Sequence, residues 1–127
     1  MLRHIRTLTI AGIIFAAIPA TFQPPMMAQP PKCLHGANEA PDQAARRKLA
    51  LAWVRRINSL QEQYFSQRKT YQPLSGLPDV QTPAGFTNQL IVHATGYALS
   101  AKDKLDPCAF AYFSDQEQVI YSAQAIQ

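Results

Sequence analysis

The chain has 127 residues, of which 47% are hydrophobic, and this length allows one globular domain at most. Twelve Lys and Arg outnumber eight Asp and Glu, but the basic residues are scattered along the chain. The short basic runs at residues 46–48 and 55–56 fall in a predicted helix, where a solvated face explains them. The composition therefore argues against a nucleic-acid-binding protein, and we expect no nucleic-acid partner.

The first 28 residues have the organisation of a secretory signal peptide. Arg3 and Arg6 make a positively charged start, residues 8–20 form an apolar run, and a cleavage site of small residues ends at Ala28. We therefore expect cleavage after residue 28 and a mature protein that is periplasmic or extracellular.

A retained leader is the alternative, in which residues 7–22 anchor the protein to the inner membrane. The apolar run is shorter than the roughly 20 residues that span a bilayer, and Pro19 interrupts it. These two features favour cleavage. The remaining chain then carries ten basic and eight acidic residues, a net charge near +2.

Residues 29–41 are predicted to form a linker, because their prolines prevent a regular helix or strand. The linker contains Cys33, and the only other cysteine of the chain is Cys108. Exported proteins with an even number of cysteines usually pair them, and a staple is useful to a small core. We therefore predict a disulfide between Cys33 and Cys108, with free or intermolecular thiols as the alternative.

The domain is predicted over residues 42–127, and its first element is one long helix. Asp42 is the predicted N-cap, and residues 42–71 contain neither Gly nor Pro. Apolar side chains recur every three or four residues, which predicts a single face that packs on the rest of the domain. The predicted face consists of Leu49, Trp53, Ile57, Leu60 and Tyr64.

After a loop rich in Pro and Gly at residues 72–88, the sequence changes to the pattern of β-strands. We predict an α+β fold, with one long N-terminal helix packed on a small three- or four-stranded antiparallel sheet. Phe110 and Phe113 are expected to lie opposite Trp53 and Ile57 in the core between helix and sheet. The strand-like runs are residues 89–95, 96–101, 108–114 and 119–124.

Several segments, taken in order, resemble the type IV pilins and the pseudopilins of type II secretion. Residues 54–71, VRRINSLQEQYFSQRKTY, are similar to a helical segment of that family in which spaced tyrosines follow a motif such as LRTINTAQ. The other matches are Leu74 and Leu77 in the loop, Gly96 and Tyr97 at the start of a strand, and the closing hairpin at residues 110–121.

The resemblance covers about residues 44–127 and implies a pilin-like fold. It also implies an exported interaction or scaffold module that binds other extracytoplasmic proteins, in the setting of a pilus or a type II secretion apparatus, and that is not an enzyme. Two positions depart from the family pattern. Gly12 is followed by IIFAA without the Glu of the prepilin peptidase motif, and Gln118 stands where the family usually has Gly.

The remaining polar residues predict no catalytic or metal site, and we expect no cofactor. His35 and His93 with the two cysteines are too few and too scattered for a zinc site. Ser114, Asp115 and His93 include the residue types of a hydrolase triad, but the turn that exposes a nucleophile is missing. A calcium site in the loops is a weaker alternative, with Asp103, Asp106, Asp115 and Glu117 as its candidate ligands.

Two other functions therefore remain as alternatives to the pilin-like module. One is a soluble periplasmic module that binds a small apolar or peptide ligand on its sheet. The other is a small hydrolase, which the absence of a convergent polar cluster disfavours.

Overall fold

The computed structural model describes residues 32–124, so the predicted signal peptide, its cleavage site and the alternative anchor lie outside the described residues. One α-helix precedes a four-stranded antiparallel sheet with the strand order β1-β2-β3-β4, which confirms the predicted α+β fold. None of the helices in residues 32–124 has the length and apolar composition to cross a membrane. The elements are α1 (Pro41–Arg68), a single 3-10 turn (Leu74–Gly76), β1 (Phe86–His93), β2 (Gly96–Asp103), β3 (Ala111–Asp115) and β4 (Tyr121–Ala123).

The helix begins two residues earlier than predicted, and Asp42 is not its N-cap. Ala40 occupies the N-cap position without a side-chain hydrogen bond, and Pro41 is the first helical residue. Proline fits there because its fixed φ suits a helix and its missing N–H would have no partner in the first turn. Asp42 instead places its carboxylate in the first turn, beside the positive end of the helix dipole.

The buried face of α1 is shifted round the helix from the predicted one. Trp53, Ile57 and Leu60 are buried, and Tyr64 is partly buried against the same core. Leu49 is 61% exposed, so its assignment to the core was wrong. The physical reason is that the buried stripe is centred on small and polar positions that an apolar pattern does not reveal, and Leu49 lies at its margin. The residues of α1 that are buried are Ala50, Trp53, Val54, Ile57, Asn58, Leu60 and Gln61.

The sheet packs on the helix through one of its two faces. Phe110 and Tyr112 are buried in the core, together with Tyr97 and Leu99 of β2. Phe113 is 44% exposed, and its assignment to the core was also wrong. Successive side chains of a strand point to opposite faces, so burial of Tyr112 turns Phe113 away from the helix.

The loop between α1 and β1 completes the core. Leu77 of this loop is buried, and Leu74 and Val80 are partly buried against the core. The fully buried side chain of Gln61 holds the beginning of the loop, because it donates to Gln72 O at 2.6 Å and accepts from Gln72 N at 2.9 Å. The helix packs on β2 and β3, and the opposite face of the sheet has no covering layer among the described residues.

Candidate functional site

The predicted disulfide is confirmed, and it joins the segment before the helix to the sheet. Cys33 and Cys108 are bonded, with Cα atoms 5.2 Å apart and a sequence separation of 75. A cross-link over a loop of that length stabilises a fold by roughly 4.5 kcal/mol at the upper end, because it restricts the unfolded chain. Residues 32–40 are thereby held against the end of the sheet.

A group of ionisable side chains, here called the charge cluster, holds the same segment through non-covalent contacts. It consists of His35, Glu39, Arg46, Arg47 and Asp103. His35 Nε2 lies 2.8 Å from Asp103 Oδ2, and His35 Nδ1 contacts Glu39 Oε1. Arg46 Nη2 donates to Asp103 Oδ1 at 2.8 Å, and Arg47 Nε donates to both oxygens of Glu39 at 3.0 Å. Each carboxylate therefore meets His35 and one arginine.

The surroundings of these carboxylates favour their charged forms. The pKa of Glu39 is lowered, chiefly by its hydrogen bonds with Arg47 and in spite of partial desolvation. For Asp103, burial acts to raise the pKa, but hydrogen bonds from His35, the N–H of Leu105 and Arg46 outweigh it, so the pKa is lowered. The charge cluster is therefore an ion-pair network whose carboxylates are occupied by donors of the protein itself.

Asp106 has a comparable structural role beside the disulfide. Its Oδ1 accepts from the N–H groups of Leu34 at 2.9 Å and Cys108 at 3.2 Å, and its Oδ2 accepts from Phe110 N at 3.2 Å. The oxygens of Asp103 and Asp106, two of the candidate calcium ligands, thus satisfy buried donors. Within residues 32–124 no group of three or more His, Cys, Asp or Glu side chains could hold a metal ion.

The three residues of the hypothetical triad do not meet. Ser114 is buried on the helix side of the sheet, where its Oγ accepts from Asn58 Nδ2 at 2.8 Å. Asp115, the next residue of β3, points to the other side of the sheet, and His93 is exposed at the end of β1. Asn58 Oδ1 also accepts from the hydroxyl of Tyr97 at 3.0 Å. Burial is the main cause that raises the pKa of Tyr97. This arrangement fixes the helix on the sheet and leaves no nucleophile beside a base.

A groove lies between α1 and the loop before β1. Its volume is about 620 Å³, within the range of small-molecule sites, and most of its lining is apolar. Leu49 and Trp53 line the helix side, Val80 and Pro83 line the loop side, and Arg56 adds a positive charge. Trp53 Nε1 is buried and has no hydrogen-bond partner in the described part of the chain. The lining of the groove is therefore mostly apolar.

A further candidate surface is the side of the sheet that faces away from the helix, here called the outer face. Ile91 is 55% exposed, Phe113 44% and Tyr121 57%. Phe113 pairs directly with Tyr121 in the β3–β4 register, so two aromatic side chains lie next to each other. The outer face consists of Thr87, Gln89, Ile91, His93, Ala98, Ser100, Lys102, Phe113, Asp115, Tyr121 and Ala123.

Sequence reasoning placed Phe113 of β3 in the core, and so it did not identify the outer face. The signal was present in the strict alternation of Tyr112 and Phe113, which separates them to opposite sides. Comparisons with protein-family models, with curated proteins and with solved structures found no match to this chain.

Proposed function

We propose that this protein is an exported, pilin-like interaction or scaffold module that binds other extracytoplasmic proteins. A pilus or a type II secretion apparatus is the proposed setting. The observation that carries the proposal is the outer face, where Phe113 and Tyr121 form an exposed aromatic pair on a rigid sheet. Aromatic residues are enriched at protein interfaces because they bury large areas at little cost in conformational entropy.

Two further features support an exported protein with a binding role. The Cys33–Cys108 disulfide is of a kind that persists in oxidising compartments. The turn before Val119 has Gln118 in the left-handed region, with φ of 62°. The pilin family, which this chain resembles, usually has Gly at that position. The backbone of the closing hairpin is therefore compatible with the resemblance despite the different residue.

The groove beside Trp53 favours the second candidate function, a module that binds a small apolar or peptide ligand. Its volume and apolar lining suit such a ligand. A small hydrolase has the least support, because Ser114 and His93 lie on different sides of the sheet.

Photo-cross-linking in the producing cells tests the leading proposal. A photoreactive amino acid at Tyr121 should form adducts with a subunit of a pilus or secretion assembly, and Phe113→Lys in the same chain should abolish them. Leu105 is the matched control position, because it is 63% exposed and is not part of the outer face. Equal adducts from positions 105 and 121, or adducts that survive Phe113→Lys, would contradict a binding role for the outer face.

The second candidate is tested separately by Leu49→Lys, which puts a charge into the groove and leaves the outer face unchanged. If the protein binds an apolar ligand there, the indole fluorescence of Trp53, the single tryptophan, should respond to that ligand in the original protein and not in the variant. A loss of cross-linking at Tyr121 in Leu49→Lys would favour the groove over the outer face.

A further inference from the structure

The first strand of the sheet has an edge to which no other strand is paired among residues 32–124. β1 occupies one end of the strand order and is eight residues long. Its sequence, FTNQLIVH, contains no Asp, Glu, Lys or Arg and no Pro. Soluble proteins usually protect a long edge strand with charges, prolines or bulges, because its free N–H and C=O groups can pair with another chain. β1 has none of these protections.

The register shows which backbone groups face this open edge. Lys104 N donates to Gly85 O at 2.9 Å, so Gly85 and Lys104 are a hydrogen-bonded pair. The neighbouring pair in the β1–β2 ladder is Phe86 with Asp103. Hydrogen-bonded and non-hydrogen-bonded pairs alternate in an antiparallel ladder. Every second residue from Gly85 onward therefore bonds to β2. The residues between them point their N–H and C=O groups outward, and these are Phe86, Asn88, Leu90 and Val92.

Three of these four residues have both backbone groups free. The N–H of Phe86 is used within the chain, because it donates to Pro83 O at 3.3 Å. Within the described chain, no other segment forms a hydrogen bond with the outward groups of Asn88, Leu90 or Val92. These residues are evenly spaced about Leu90, so the open edge has its own centre at that residue.

The opposite edge of the sheet is much less suited to adding a strand. β4 is only three residues long. The residue after it, Gln124, donates from its side chain to His35 O at 2.9 Å, so the end of β4 is tied to the disulfide-bonded segment. Pairing of β1 with β4 of a second molecule would therefore involve only a short strand. Such head-to-tail pairing is what would extend the sheet into fibres, and it is not supported.

We propose that the β1 edge pairs with the β1 edge of a second copy of this chain, antiparallel and about a two-fold axis at Leu90. In this register Leu90 lies opposite Leu90 of the partner subunit, and Asn88 lies opposite Val92 of the partner subunit. About six backbone hydrogen bonds form, and the two sheets join into one. The inference deepens the proposed interaction function, because it names one partner and the edge that binds it.

The side chains agree with this pairing. In this register odd-numbered residues lie opposite odd-numbered residues. The outer-face side chains of one β1 strand therefore lie next to the outer-face side chains of the other. Gln89 then lies opposite Ile91 of the partner subunit, and Thr87 lies opposite His93 of the partner subunit. Because β1 contains no Asp, Glu, Lys or Arg, no fixed like charges oppose each other. One strand pair is smaller than a standard interface of about 1,600 Å², so the dimer should dissociate on dilution.

Sedimentation velocity tests the proposal, with protein recovered from cells that express the full chain. The weight-average mass should rise towards that of a dimer between roughly 10 µM and 1 mM, the range expected of weak complexes. In Gln89→Lys/Ile91→Lys, each new lysine faces a lysine of the partner subunit, so association should weaken at least about tenfold. In Gln89→Glu/Ile91→Lys the same positions carry opposite charges, so association should return to the original level or exceed it.

The matched control is Ala98→Lys/Ala123→Lys, which adds the same charge to exposed positions of the outer face that are not on β1. This control should dimerise as the unsubstituted protein does, and circular dichroism checks that all variants are folded. A protein that stays monomeric up to about 1 mM would overturn the proposal. So would equal weakening by the control and the repulsive variant, or failure of the opposite-charge variant to restore association. The adducts at Tyr121 are a separate readout, so either proposal can fail alone.

Discussion

The two faces of the sheet differ in how far their side chains are buried and bonded within the monomer. On the helix side, Tyr97, Leu99 and Tyr112 are buried, and Ser114 is hydrogen-bonded to Asn58. On the outer face, Ile91, Phe113 and Tyr121 expose between 44% and 57% of their surface. The two faces alternate along the same strands, so composition alone does not separate them.

This difference separates residues that stabilise the fold from residues that remain available to a partner. Burial of an aromatic side chain contributes several kcal/mol, whereas an exposed one contributes little to the monomer. An exposed aromatic pair is therefore better explained by a use outside the monomer. The predictions below test this division, beginning with the change that should have the largest effect.

Trp53→Ala and Phe113→Ala compare the two faces directly. Trp53 is 4% exposed between helix and sheet, so its truncation should lower the free energy of unfolding by about 3–5 kcal/mol. Phe113 is 44% exposed, and its truncation should cost no more than about 1 kcal/mol. Urea denaturation of the two variants measures both values. Similar losses would show that the outer face is as important to stability as the core.

The charge cluster extends the comparison to two buried carboxylates, and it predicts a sensitivity to acid. The pKa values of Glu39 and Asp103 are lowered in the folded protein from ordinary values of 4.5 and 3.8. A lowered folded pKa stabilises the protein above the unfolded pKa, and that stabilisation is lost as the pH falls through the folded pKa. The free energy of unfolding should therefore be steady near neutral pH and decrease below about pH 4.

Asp103→Asn isolates the contribution of the cluster. It removes the carboxylate that pairs with Arg46 and one of the two carboxylates that contact His35, so stability at pH 7 should fall by about 2–4 kcal/mol. The decrease in the free energy of unfolding below about pH 4 should also be shallower in this variant than in the original protein, because one of the two carboxylates with a lowered pKa is gone. Glu117→Gln, an exposed change in the β3–β4 turn, is the control and should alter stability at pH 7 by no more than about 0.5 kcal/mol. An unchanged acid slope in Asp103→Asn would contradict the proposed role of Asp103.

The sequence predicts those parts of the structure that depend on neighbours along the chain. The helix follows from a run without Gly or Pro, and the hairpins follow from short strand-like runs separated by turn residues. The disulfide follows from the cysteine count and the expected compartment. Each of these features can be recognised from a few neighbouring residues or, for the disulfide, from the number of cysteines.

The errors and omissions concern contacts between distant residues. The charge cluster joins His35 to Asp103, which are 68 residues apart, and no local motif marks that pair. Leu49 fits the apolar spacing of the helix, but its burial depends on where the loop before β1 lies. The outer face could have been inferred from alternation alone, whereas the open edge at β1 required the strand order.

The smallest predicted effect concerns the turn between the last two strands, and it is a gain in stability. Gln118 has φ of 62°, a left-handed conformation that costs a residue with a Cβ atom roughly 1–2 kcal/mol and costs glycine almost nothing. Glycine also loses more conformational entropy on folding, so Gln118→Gly should raise the free energy of unfolding by about 0.5–1 kcal/mol. Gln116→Gly, in the same turn but without a positive φ, is the matched control and should be neutral or slightly destabilising. Thermal denaturation of the two variants decides the matter, and a lower melting temperature for Gln118→Gly than for Gln116→Gly would show that the Gln118 side chain has a stabilising role in this turn.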